Sequence, residues 1–133
     1  MSEFHLPVRV YYEDTDAGGV VYHTGYIRFF ERARTEWLRA LGYSQRRLAE
    51  EVGVLFTVVE LTIRYIRPAR LDDELSVLAR AERTGGASLG FAQEIRNAAG
   101  ELLAEGEVRV ACVDALDMKP RRLPKDLAER MAA

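Results

Sequence analysis

The sequence predicts an α+β domain in which a curved, five-stranded antiparallel sheet wraps around one long central helix. Three observations carry that prediction. Only the segment from about Thr24 to Leu41 is long and places its apolar residues at helical spacing. From Val54 onward, four runs rich in β-branched or alternating apolar residues follow one another, separated by turn residues. One further alternating run precedes the helix. At 133 residues the chain is read as a single domain spanning residues 1–133, large enough to bury a substantial core.

The first run, Phe4 to Glu13, places Val8, Val10 and Tyr12 on one face and Arg9, Tyr11 and Glu13 on the other, as a strand does. In the helix, Tyr26, Phe30, Ala33, Trp37 and Leu41 form one stripe, with Arg28, Arg32, Glu36 and Arg39 mostly away from it. Thr24 is the expected N-cap and Gly42 the expected terminator. Ser44 to Glu51 reads as a short second helix capped by Ser44. Val54 to Ile66 is a long strand ended before Pro68, which has no N–H to give a ladder. Glu74 to Arg83 alternates, with Leu75, Val77, Ala79 and Ala81 on one side. Gly85-Gly86 turns the chain into Ser88–Arg96, and Asn97 to Gly100 turns it again into a last strand, Leu102 to Asp114. Pro124 to Met131 reads as a terminal helix. Pairing by hairpins and a meander would leave Thr62, Arg64, Glu94 and Arg109 on the outer face, toward solvent or a second subunit.

Bulk chemistry narrows the function classes. Hydrophobic content is 48%, charged content 30% and net charge −2, so no general attraction to nucleic acid or anionic membrane is expected. The single Cys112 sits in an apolar strand pattern and reads as a buried, inert thiol in a reducing compartment. The N-terminus lacks the basic and apolar regions of a secretion signal, and no stretch reaches membrane-spanning length. A cytoplasmic protein is expected.

The most informative segment joins the first strand to the helix. It holds two carboxylates, Asp14 and Asp16, then Gly18 and Gly19, where the backbone can turn tightly. A helix entrance follows within a few residues, and its unpaired N–H groups can hold developing negative charge. A carboxylate facing such donors is a workable arrangement for hydrolysing an activated acyl group.

The run Tyr12-Glu-Asp-Thr-Asp-Ala-Gly-Gly-Val-Val-Tyr-His23, followed by Tyr26-Ile-Arg-Phe-Phe-Glu-Arg-Ala-Arg-Thr-Glu-Trp-Leu38, resembles the hot-dog-fold acyl-CoA thioesterases. It is most similar to the Tol–Pal-associated branch within the 4-hydroxybenzoyl-CoA thioesterase type. Tyr65-Ile-Arg-Pro-Ala69 with Asp73 resembles that family's second segment, and the likeness spans about Val8 to Asp117. The resemblance implies that Asp16 is the catalytic carboxylate and that the His23 backbone N–H polarises the thioester carbonyl. It also implies an acyl-CoA substrate, a dimer of dimers, and an association with the Tol–Pal system and phospholipid metabolism. Family members usually carry Asn where this chain has Gly25, which removes any side-chain contact from that position.

Thioester chemistry suits these groups. The thiolate leaves easily, so strong acid assistance is less essential than in amide hydrolysis. Asp16 is expected either to draw a proton from water or to attack the carbonyl and form an anhydride. Tyr22 and Tyr26 would border the acyl group. Arg64 and Arg67, with Arg70, are candidates for the CoA phosphates, since guanidinium pairs well with phosphate; a solvated sheet edge or interface is the alternative. Asp14 reads as the residue that holds the loop; related thioesterases of another subtype use a helical acid, but with a loop aspartate present Glu31 reads as a solvated residue or one that supports the site. Asp14, Asp16 and His23 lack the spacing of a metal site, and no cofactor is expected. The chain is too small to complete a CoA groove alone, so a dimer is the expected minimum. A hot-dog dehydratase would be expected to show a histidine-centred motif that is absent. A non-catalytic acyl-thioester-binding or scaffolding protein would keep the fold without needing an ionised Asp16.

Overall fold

The computed structural model of the protein describes residues 3–83 and 85–132. The chain runs β1 (Glu3–Arg9), a 3-10 turn (Tyr12–Asp14), α1 (His23–Ala40) and α2 (Gln45–Arg47), which continues into a π-helical turn (Leu48–Val52). β2 (Val54–Tyr65), β3 (Glu74–Arg83), β4 (Ser88–Arg96), β5 (Leu102–Asp114) and α3 (Lys125–Ala132) follow. All five strands form one antiparallel sheet in the order β1-β3-β4-β5-β2.

The alternation in β3 buries Leu75, Val77, Ala79 and Ala81, and the side chains of Phe29, Phe30, Ala33 and Trp37 descend onto that face from α1. Phe29 and Phe30 are fully enclosed; a side chain of this size contributes about 1.5–3 kcal/mol when removed from water. The Trp37 ring stacks on Phe4 and meets Phe91 edge-on, centroids 6.3 and 6.1 Å apart. Leu127, Ala128 and Met131 of α3 close the same core. Gly106, in mid-β5, lies under Phe30. A Cβ there would overlap the Thr62 carbonyl oxygen and stand 3.0 Å from Phe30 Cε2.

Several expectations need correction. The first strand ends at Arg9 rather than Glu13, and Tyr12, expected beside Val8 and Val10, is 83% exposed. The reason is that the Asp14 carboxylate accepts the Tyr11 N–H, which coils the chain away from the sheet. Thr24 is not the N-cap of α1: the helix begins at His23, and Tyr22 precedes it without a side-chain capping bond. Leu41 is only partly buried at the helix end. The meander is limited to β3-β4-β5. β2 pairs only with β5 and stands at the edge far from β3, so the connection of residues 66–73 must cross the fold. Other details hold. Ser44 accepts the Arg47 N–H, Gly42 takes φ of 94°, and the turn through Gly85-Gly86 joins antiparallel strands, with Thr84 outside the described residues.

Candidate active site

The loop after β1 is held by its own backbone. The Tyr22 N–H donates to the Asp14 carbonyl at 3.0 Å, Thr15 bridges Val21, and the Asp16 N–H donates to the Val20 carbonyl at 2.9 Å. Asp16 thus heads a tight turn, and Gly19, at φ of 78°, supplies the left-handed step that closes it. The two aspartates differ. Asp14 is buried, its Oδ2 takes the Tyr11 N–H at 2.8 Å, and its Oδ1 lies 3.7 Å from Arg28 Nη2. Asp16 is exposed, and among the described residues only its Oδ1 is engaged, by the Gly18 N–H at 2.8 Å.

The crossing connection forms the opposite wall. The Ile66 and Arg67 N–H groups donate to the Leu103 carbonyl, fixing the start of the segment to β5. The Val21 N–H donates to the Ala69 carbonyl at 2.9 Å, and the Ala69 N–H donates to the Tyr26 hydroxyl at 3.0 Å. At the far end, Val10 and Asp73 pair, and the Asp72 N–H donates to the Val10 carbonyl. The loop before the helix and the segment after β2 are therefore sewn together on both sides.

α1 starts where these walls meet. Its first residue, His23, has Gly19 four positions earlier, outside the helix, so its N–H has no intrahelical acceptor. Among the described residues it donates to no other backbone carbonyl. On the carbonyl side of the same residue, the Tyr65 hydroxyl donates to the His23 oxygen at 2.7 Å. The Tyr65 ring meets Tyr26 edge-on, centroids 5.2 Å apart. Burial pushes the Tyr26 phenol above its ordinary range; the Ala69 N–H opposes this, and the Asp16 and Asp73 charges reinforce it. Tyr65 is likewise raised by burial, with Tyr26 adding to it.

Asp16, Tyr22, His23, Tyr26, Tyr65 and Arg67 share one cleft. Five of the residues singled out in the sequence thus come together. The His23 imidazole rests against the Tyr22 ring, centroids 4.3 Å apart, while its backbone faces the helix end. Arg67 lies at the cleft and 3.4 Å from Glu101. Arg64 is elsewhere: it pairs with Glu105 at 3.0 Å beside Thr62, Arg80 and Glu94 on the other face of the sheet. Glu31 accepts the Thr35 hydroxyl and does not line the cleft. Sequence reasoning gave Tyr65 no role. Its signal was the aromatic residue closing the β2 run just ahead of Pro68, but only the crossing of the chain brings it to His23. Gly25 also acquires a reason: a Cβ there would stand 2.7 Å from Val21 Cγ1, so the first helical turn is seated flush on the loop.

The loop aspartate, a helical N–H without an intrahelical acceptor and an aromatic wall thus line one cleft. Residues 10–131 match the family model of the thioesterase-like superfamily. The chain is 56% identical to the acyl-CoA thioester hydrolase YbgC of Escherichia coli, covering 93% of this chain and 92% of that protein. It is 50% identical to the acyl-CoA thioesterase YbgC of Haemophilus influenzae, over 93% and 90% of the two chains. Among solved structures, a probable thioesterase from Bartonella henselae superposes with a TM-score of 0.87 at 37% identity, covering 92% of this chain and all of the other. A 1,4-dihydroxy-2-naphthoyl-CoA thioesterase from Synechocystis shares the fold, with a TM-score of 0.92 at 24% identity over 98% and 96% of the chains. The chain belongs to the thioesterase-like superfamily, with the hot-dog architecture of one helix held in a curved sheet. Within it, the protein is a thioester hydrolase of the kind represented by the YbgC enzymes. No helix among the described residues is long and apolar enough to cross a membrane.

Proposed function

We propose that the protein hydrolyses acyl-CoA thioesters to a free carboxylic acid and CoA, with Asp16 acting at the acyl carbon. The observation that carries this reading is the placement of an exposed carboxylate and an unclaimed helical N–H on one cleft. The thioester carbonyl accepts the His23 N–H. The positive end of α1 favours the oxyanion, a type of contact worth about 3–4 kcal/mol. Asp16 takes a proton from water as the water oxygen bonds to the carbonyl carbon. The tetrahedral intermediate collapses, the C–S bond breaks, and the CoA thiolate recovers a proton. Direct attack by Asp16, followed by hydrolysis of the anhydride, gives the same products. Label found in Asp16 after a single turnover in 18O-water would identify the anhydride route, with water opening the anhydride at the Asp16 carbonyl. Tyr22 and Tyr26 border the acyl group, and Arg67 at the cleft rim is the better placed of the two arginines for a CoA phosphate.

The functional test is thiol release from short, long and aromatic acyl-CoAs, expected for wild type and lost in Asp16→Asn. Absence of turnover on every chain class would favour a binding or scaffolding protein. The working unit is a dimer, in the cytoplasm. β2 is an edge strand of 12 residues with Val58 and Val59 about half exposed, an unpaired ladder suited to a second copy. Sedimentation showing a fully active monomer would overturn the dimer.

A further inference from the structure

On another side of α1 lies a second hollow, enclosed by the sheet and α3. Its walls are Leu38, Phe56, Leu89, Phe91, Leu127 and Met131. One cation enters it. Arg34 is half-buried, and its Nη1 donates to Gln93 Oε1 at 2.9 Å. Gln93 is 1% exposed, and its Nε2 donates to the Phe30 carbonyl, so the amide is fixed by the helix it serves. Among the described residues no carboxylate stands within ion-pairing distance of Arg34. Glu31, on the rim one turn earlier, stabilises the Arg34 charge only from a distance and accepts the Thr35 hydroxyl, and Gln45 Nε2 donates to that same hydroxyl oxygen.

A guanidinium partly withdrawn from water is costly to keep without a close anion, and a neutral amide satisfies only part of its fork of donors. Ligand pockets have this composition: apolar walls with a few fixed polar groups. We propose that this hollow binds a monocarboxylate with an apolar body, its carboxylate on the free edge of the Arg34 guanidinium and its tail against Phe56, Leu89 and Phe91. Such an acid is what thioester hydrolysis releases, so the pocket would retain product. The inference rests on the thioesterase reading only for the source of the acid, and not on which residue performs the chemistry.

The test compares octanoate with octanol, which carries the same apolar tail without the charge. Trp37 is the only tryptophan and packs on Phe91, a wall residue, so its fluorescence reports occupancy. Calorimetry supplies the affinity. Octanoate should bind about tenfold or more tighter than octanol, as expected for a charge-assisted, two-point contact. Arg34→Gln should abolish that preference, and Arg34→Lys should restore part of it. Gln45→Phe, at the exposed rim away from the β2 edge, should block both ligands without disturbing the core or adding a tryptophan. Asp16→Asn should bind octanoate like wild type, so failed catalysis and failed binding are told apart. Equal affinity for octanoate and octanol in wild type would overturn the proposal, a comparison that needs no variant to fold. So would octanoate binding that survives both Arg34→Gln and Gln45→Phe.

Discussion

Asp14 and Asp16 stand in the same loop and carry the same side chain, yet their surroundings are opposite. Asp14 is enclosed, with one oxygen on the Tyr11 N–H and the other facing Arg28. Asp16 is open to the cleft and held by a single N–H from its own turn. On the proposed mechanism the contrast divides the labour. A carboxylate already satisfied by the chain stabilises the loop, and one with an oxygen to spare is available for chemistry. Exchanging their roles would require rebuilding the turn, not merely altering charge.

The sharpest way to break this division is Asp16→Asn. The amide is nearly isosteric but can neither take a proton from water nor attack effectively. The kcat against the best acyl-CoA should fall by a factor on the order of 10²–10⁴. KM should move far less, because the lost interaction belongs to the chemical step. The urea midpoint should stay near that of wild type. Near-normal kcat would remove Asp16 from the mechanism. Asp14→Ala should show the reverse pattern. It removes the charged acceptor of the part-buried Tyr11 N–H and should cost about 1–3 kcal/mol in urea unfolding. Its kcat should fall less than that of Asp16→Asn.

Tyr26 extends the comparison to the wall opposite. Tyr26→Phe strands the Ala69 N–H and should also cost about 1–3 kcal/mol, with the cleft loosened where the two segments are joined. It should also change the alkaline behaviour. The phenol's ordinary value is 10.0 and folding raises it, so the folded state holds the proton more tightly than the unfolded state. That contribution is complete below pH 10.0 and declines as pH rises from there through the folded-state value. Urea unfolding followed through this alkaline range should therefore show a steeper loss in wild type than in Tyr26→Phe. Parallel curves would contradict the assignment. Tyr65→Phe is the mildest change. It removes one hydrogen bond to the His23 carbonyl, about 0.5–1.5 kcal/mol, and should lower kcat several-fold without abolishing it.

Much of this was legible in the chain, and the unread part has a common cause. The bounds of β3, β4 and β5 follow from alternation and glycine turns, which are local signals. The site loop was legible because its aspartates, glycines and helix entrance are contiguous. What local pattern could not reveal is non-local. The withdrawal of Tyr12 depends on a hydrogen bond to Asp14, and the place of β2 depends on which edge of the sheet is vacant. The role of Tyr65 depends on a crossing that brings position 65 to position 23. Arg64 and Arg67 are near neighbours in sequence, but the strand's end separates them, leaving one on the outer sheet face and the other beside the cleft.

Gly106 shows how far from the chemistry a position can be closed to variation. It pairs with Ile63 on one side and with Gln93 on the other, and the Phe30 ring rests above it. Even a methyl group would act as a wedge between β5 and β2 and under the helix at once. The clearance between helix and sheet is thus gauged by an atom that is missing. Tyr65, two positions beyond Ile63 on the same strand, reaches the His23 carbonyl, so the strand that Gly106 lets approach β5 also holds the start of the helix. A saturation scan read only for activity would mark positions 16 and 106 as equally intolerant. One tolerates no other chemistry, the other no other volume, and a thermal melt is enough to tell them apart.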